Sequence, residues 1–252
     1  MTAIGEHRSY REAVERLAAA QKSGAGVPAY LRWVNRGLGR RAAALAYVAR
    51  STPNQVTAAS ALFSLAGMLV LASAEPSPVT AVVATVLLLA GYALDSADGQ
   101  LARLTGSGSV AGEWLDHVID AVRLPLFHLA VAVYLLRDSG SLGLASIGVA
   151  FSLLSSAWFF AQTLAEKLSP ETPETPETPG TTTDAPAWVS FAKLPYDVGV
   201  LYLIVLTSGW PTVFLGAYVA LFAVTALVAA LSMARKYRGL ARAGVSVAAH
   251  QG

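Results

Sequence analysis

The chain has 252 residues, of which 54% are hydrophobic and 13% charged, and its mean hydropathy is +0.51. Soluble domains carry nearly twice that share of charge, so the composition points to a membrane protein. A net charge of +2 offers no argument for a nucleic-acid partner, and the absence of cysteine excludes disulfides and thiolate chemistry.

In chain order, the first 20 residues are polar and helical in pattern, without the apolar stretch of a signal peptide. Residues 28–50 mix Arg with Tyr30, Trp33 and Leu, which predicts an amphipathic helix lying at the membrane interface against anionic lipid. Six apolar stretches follow, at about 55–74, 79–94, 115–136, 142–163, 196–207 and 212–234. Roughly 20 apolar residues span a bilayer as a helix, and backbone in lipid must satisfy its own hydrogen bonds, so each stretch is read as a membrane helix. The fifth is short, and the second ends directly in charged residues. Between the fourth and fifth, residues 169–186 hold the acidic repeat ETPETPETP, which reads as an extended, disordered linker. The predicted fold is an all-α integral membrane protein, a six-transmembrane-helix bundle with an N-terminal interfacial amphipathic helix. It divides into an N-terminal segment (1–50), a membrane domain (51–236) that includes the linker, and a tail (237–252).

Basic residues set the orientation. Six spans put both termini on one side, together with the loops near 95–114 and 164–195. Nine of the 18 Lys and Arg precede Pro53, and Arg235, Lys236, Arg238 and Arg242 follow the last span. The opposite turns hold only Arg137. By the positive-inside rule both ends are expected to be cytoplasmic, in the cell membrane.

Seven Asp occur in the chain, and four fall close together: Asp95, Asp98, Asp116 and Asp120. The first pair closes the second span at i,i+3 and the second pair opens the third at i,i+4, so each pair shares a helix face. A short turn rich in Gly and Ser (TGSGSVAG) joins the spans as antiparallel neighbours, which brings all four carboxylates to one depth at the cytoplasmic boundary. Four ionised acids there repel one another and resist desolvation, and a hard divalent cation resolves both costs. Oxygen-only ligation with no His or Cys points to Mg²⁺ or Mn²⁺, and two ions would suit four carboxylates and a diphosphate.

Written out, the stretch is Asp95-x2-Asp98-Gly99-x2-Ala102-Arg103-x8-Gly112-x3-Asp116-x3-Asp120. It resembles, at every fixed position, the signature of the CDP-alcohol phosphatidyltransferase family. A weaker likeness covers Pro53-Asn54-Gln55-Val56-Thr57, and the six-helix count extends it to about residues 50–235. The resemblance implies a phosphotransferase of phospholipid biosynthesis. Such an enzyme would move a phosphatidyl or other phospho-alcohol group from a CDP-alcohol, CDP-diacylglycerol being favoured, to an acceptor hydroxyl with release of CMP. Asp95, Asp98 and Asp116 would ligate the metals; Asp120 would be the general base while touching the second metal. Gly99, Ala102 and Gly112 would leave room for the nucleotide, and Arg103 would reach a donor phosphate. Helix packing is the alternative use of both glycines. The resemblance also implies a homodimer among membrane lipids.

For the acceptor, Arg123 stands at i+3 from Asp120 inside an apolar helix, where it would bind an acceptor phosphate or neutralise the acids. Lys193 and Arg235, at span ends, are further acceptor candidates, with interfacial anchoring as the plain alternative. Together these cations favour a polyol phosphate acceptor. His117 is expected to point off the metal face and His128 to be buried and hydrogen-bonded. Trp158, Trp188 and Trp210 read as belt residues. Three other readings stand beside this one: a membrane cation transporter or channel built on the Asp cluster, a silent lipid-binding scaffold, and a soluble CDP-alcohol donor serving a diacylglycerol acceptor.

Overall fold

Capping residues written into the sequence set most of the helix boundaries. The computed structural model describes residues 9–21, 27–168 and 187–250. Helix α1 covers Tyr10–Ala19, and a π-helical turn over Leu31–Asn35 leads into α2, Arg36–Val48. Thr52 and Gln55 form a reciprocal capping box that starts α3 (Pro53–Ser73), with Pro53 in its first turn. Ser77 and Thr80 do the same for α4 (Pro78–Thr105), again beside a proline. These pairs satisfy backbone N–H groups that a helix start leaves open, and proline fits there because its missing N–H is not needed. Ser109 caps α5 (Val110–Ser139). Helices α4 and α5 each end on a glycine in the left-handed region, Gly106 (φ 63°) and Gly140 (φ 66°), where a Cβ would be strained. Then come α6 (Leu142–Leu168), α7 (Ala187–Ala192), α8 (Val198–Leu203) with a 3₁₀ continuation over Ile204–Gly209, and α9 (Pro211–His250). No strand occurs among the described residues.

Five of these helices are long and apolar enough to cross a membrane: α3, α4, α5, α6 and Pro211–Arg242 of α9. The protein is a multi-pass membrane protein in that sense. The expected fifth span is shorter than the rest, Val198–Gly209. Half of it is 3₁₀, which rises about 2.0 Å per residue against 1.5 Å for the α-helix, so it reaches only about 21 Å. The ETP repeat lies outside the described residues.

Helix α4 is the central element. Small residues let α3 approach it closely: a Cβ on Gly91 would collide with the Ser64 hydroxyl, and Ser60 Oγ donates to the Gly91 carbonyl at 2.9 Å. Gly148 of α6 sits as tightly against Ala132 of α5. Above this crossing, Tyr92, Phe127, Phe151, Tyr202, Phe214 and Tyr218 build the main core. His128 is buried there and its Nδ1 shares a 2.7 Å hydrogen bond with the Tyr218 hydroxyl, as its sequence context suggests. Trp188 and Trp210 are exposed as belt residues would be, but Trp158 is turned inward against Tyr196, ring centres 5.8 Å apart. An aromatic near a span end reaches the interface only if its own helix face does.

The N-terminal segment packs behind the C-terminal half of α4. Ala13 and Leu17 of α1, Ala43 and Ala44 of α2, Val56, Ala97 and Leu101 form a second buried cluster. Gly39 fits against Ser96, and the Gln100 amide donates to the Arg36 carbonyl at 3.3 Å. Asp197, 2% exposed, accepts from the backbone N–H of Leu31 and of Gly199, which ties this segment to the start of α8.

Candidate active site

Helices α4 and α5 run antiparallel yet hardly touch; α3 packs against both. The sequence reading has the two spans as direct neighbours. Instead the gap between them opens a cleft of about 760 Å³, floored by the first turns of α3 and closed at one end by the 106–109 turn. Into it face Asp98, Gly99, Ala102 and Arg103 from α4, Gly112 and Asp116 from α5, and Asn54 and Thr57 from α3.

The structure brings Asp95, Asp98 and Asp116 together, with carboxylate oxygens within 4.8 Å of one another. Thr57 Oγ1 donates to Asp98 Oδ2 and the Gly99 backbone N–H to Asp98 Oδ1, each at 2.5 Å, so both oxygens of that carboxylate are held in place. Asp120 stands apart. It pairs with Arg123, Oδ1 to Nη1 at 3.3 Å, while the same nitrogen lies 2.6 Å from Asp95 Oδ1. Arg123 Nη2 donates to Ser60 Oγ at 2.9 Å, and the whole side chain is 4% exposed. Arg123 is therefore engaged with the acids. Of the two roles expected of it, neutralising the acids fits these contacts, because i+3 from Asp120 turns it toward Asp95 across the helix gap.

One buried guanidinium balances one of four carboxylates. The imbalance, together with an oxygen-only donor set of three converging carboxylates, fits a hard divalent cation. Arg103 is the next nearest cation: its Nη1 would lie 3.5 Å from a Cβ placed on Gly99, and nothing else crowds that position. Gly99 therefore faces open space. Gly112 does not, since a Cβ there would meet Ser109 Oγ at 3.2 Å and Asn54 Oδ1 at 3.4 Å. Gly112 also lines the cleft, so its position fits both uses expected of it, room for a nucleotide and close packing of the α5 start against α3. On α2, burial first and the charge of Arg103 second make Arg36 a weaker base than usual.

A second space, about 320 Å³, lies on the other side of Asp120. Its walls include Phe151, Trp158 and Leu221, with Gln162, Glu166 and Tyr196 among the polar groups. His117 lines both spaces, and its Nδ1 is bonded to the Glu113 carbonyl at 2.9 Å. Lys193 and Arg235 line neither space, although Arg235 is close enough to Tyr196 to act on it electrostatically.

Asn54 and Thr57 belong to the weaker likeness at residues 53–57, which assigned them no role, and Ser60 is a residue at the site that motif reasoning passed over. Their signal is a polar stripe at three-residue spacing in an otherwise apolar helix, continued by Ser64.

The arrangement defines a class, a helical membrane protein whose polar centre is a carboxylate cluster in a cleft at the end of two spans. The family described as CDP-alcohol phosphatidyltransferase matches residues 50–232, most of the chain, and this chain belongs to it. It is accordingly a phosphotransferase acting on a CDP-alcohol, and its family works with a divalent metal. A search of curated proteins gave no match.

Proposed function

We propose that the protein transfers the phosphatidyl group of CDP-diacylglycerol to an acceptor hydroxyl and releases CMP. The observation that carries this is the convergence of Asp95, Asp98 and Asp116, of which Asp98 and Asp116 line the nucleotide-sized cleft, with Asp120 beside a second space. Asp95, Asp98 and Asp116 would hold Mg²⁺ or Mn²⁺, one ion or two, and the metal would supply charge neutralisation for the donor diphosphate. Arg103 reaches a donor phosphate from the cleft wall, and the open face of Gly99 lets the nucleotide lie against α4. The acceptor oxygen attacks the donor's β-phosphorus as Asp120 takes its proton. The bond from that phosphorus to the bridging oxygen breaks, and CMP leaves with the electron pair. Arg123 is a positioning residue that bridges Asp120 and Asp95 and orients both.

For the acceptor, the walls of the second space offer Asp120 and Glu166 and, among the described lining residues, no Lys or Arg. That supports an unphosphorylated alcohol. The polyol phosphate reading stays as the second, favoured by Arg235 beside Tyr196.

For the topology, we read Val198–Gly209 as a sixth crossing. Gly209 abuts Ser77 and Pro78, where α4 begins, while Tyr202 packs on Tyr92, fourteen residues and so about 21 Å further along. With six crossings both termini and the site share one side, which the basic residues at both ends make the cytoplasm in this reading, with residues 28–50 at the interface; a homodimer completes the proposal. Purified protein given radiolabelled CDP-diacylglycerol and a panel of acceptors tests the function. CMP release dependent on an alcohol is expected; its absence with every acceptor refutes the reading.

A further inference from the structure

The space beside Asp120 runs deep into the bundle. Along α5 its wall is His117, Asp120, Leu124 and His128, successive turns of one face. Asp120 and His128 are thus about 12 Å apart along the helix. The register of α6 on α5 is fixed by Ser152 Oγ, which donates to the Pro125 carbonyl at 3.0 Å. Ser155, three residues further along the antiparallel α6, therefore stands near the level of Leu124, one turn and about 6 Å below Asp120.

Three polar groups line the inner part, one from each of three helices: His128 of α5, Ser155 of α6 and Thr225 of α9. They are 1%, 8% and 7% exposed. Hydroxyls in apolar helices ordinarily bond a carbonyl of a preceding turn, as Ser156 does with Ser152 and Thr163 with Phe159. Ser155 and Thr225 do not: their hydroxyls have no hydrogen-bond partner among the described residues. Neither oxygen is sealed inside the protein as Ser64 Oγ is, and both residues belong to the wall of this space. Tyr218 engages only Nδ1 of His128, which leaves Nε2. Buried polar groups without partners are rare, and these three converge on one space. Each can donate or accept, a match for hydroxyl groups, while the charged lining residues Asp120 and Glu166 lie nearer the mouth.

We infer that the acceptor is an uncharged polyol: one hydroxyl meets Asp120, and others, a turn deeper, bond Ser155, Thr225 and His128 Nε2. The inference rests on the proposed phosphotransfer and adds the class of its acceptor and the residues that select it. A monohydric alcohol would leave these three groups unused. An ammonium, carboxylate or phosphate would enter the inner part with no counter-charge there, which is costly. Aromatic faces complete the wall, with Phe151 lying on the His128 ring at 3.8 Å and Trp158 edge-on to Tyr196.

Full-length protein in detergent micelles with radiolabelled CDP-diacylglycerol gives the test. CMP release is measured with glycerol, myo-inositol, 1-propanol, serine, ethanolamine and glycerol 3-phosphate. Glycerol or myo-inositol should be the best acceptor, and 1-propanol poorer by about tenfold or more. Ser155→Ala and Thr225→Val remove hydroxyls that bond nothing in the protein, so folding is not at stake. Each should raise the KM for the polyol about three- to tenfold, the scale of one lost hydrogen bond. Inhibition by CDP should stay within about twofold of the wild type, because the nucleotide cleft is untouched. Ser156→Ala, whose hydroxyl bonds its own helix, is the control. If Ser155→Ala and Thr225→Val behave like Ser156→Ala, or shift CDP inhibition as much as the polyol KM, the inference fails. CMP release driven by serine, ethanolamine or glycerol 3-phosphate in preference to both polyols would also overturn it, while leaving phosphotransfer intact. No CMP release with any acceptor would overturn both.

Discussion

Thr57 and Arg123 each hold one half of the acidic cluster, and their substitution should have different signatures. Thr57→Val removes the 2.5 Å hydrogen bond to Asp98. Loss of a bond to a charged group costs about 1.5–3 kcal/mol, so the concentration of Mg²⁺ or Mn²⁺ giving half-maximal CMP release should rise by at least tenfold. Arg123→Ala leaves two facing carboxylates without their cation. Breaking a buried pair from one side costs about 3–5 kcal/mol, and both melting temperature and kcat should fall, with no selective change in acceptor KM. A selective rise in acceptor KM would instead give Arg123 the other role expected of it, at an acceptor phosphate. Asp98→Asn and Asp120→Asn should separate binding from chemistry. Asp98→Asn should weaken metal and donor binding, whereas Asp120→Asn should lower kcat by about 10²–10⁴ with donor KM nearly unchanged. Exhaustive EDTA treatment should abolish turnover and added Mg²⁺ or Mn²⁺ restore it; persistence of activity in chelator would disprove a metal at the three acids.

Among the elements, the α3–α4 crossing is the most tightly specified. Gly91→Val would drive a branched side chain into Ser64 and the Ser60 carbonyl, so the helices must separate. Overpacking of this kind costs typically 1–3 kcal/mol, and the variant should melt earlier in detergent and lose activity, because Thr57 rides on the same helix. Most of these elements are legible in the sequence. Long apolar runs give the helices, and capping pairs such as Thr52 with Gln55 give their starts. The aspartates, at i,i+3 and i,i+4, are legible as two pairs. What escapes is whatever depends on which helices meet. Spacing along α5 cannot say that Arg123 reaches Asp95 on α4, or that α3 comes between α4 and α5 and contributes Thr57. Nor can hydropathy reveal that Val198–Gly209 changes to a longer-pitched helix, since the same residues would suit either form.

At the level of the whole molecule, α1 and α2 act as a brace behind α4, and Ala43, Ala44, Ala97 and Leu101 are fully buried in that joint. Gly39→Leu, which would push α2 off Ser96 and Gln100, should cost stability and activity together, as a thermal shift and a turnover assay would show. Reporter fusions at Gly252 and near the N-terminus should report the same compartment if Val198–Gly209 is a crossing, and opposite compartments if it is not. The length of α4 has one more consequence. Its 28 residues would extend about 42 Å, well beyond a hydrocarbon layer of about 30 Å, and Asp95 and Asp98 come seventeen and twenty residues after Pro78, about 26 and 30 Å along. A hydrocarbon layer that begins at the start of α4 would put the carboxylates at its opposite rim, and the thickness of the surrounding bilayer would then set how much water they see. In proteoliposomes of graded acyl length, turnover should peak near the matching thickness. Beyond it turnover should fall, as thicker bilayers draw the acids into hydrocarbon and hydrophobic mismatch becomes a control on catalysis.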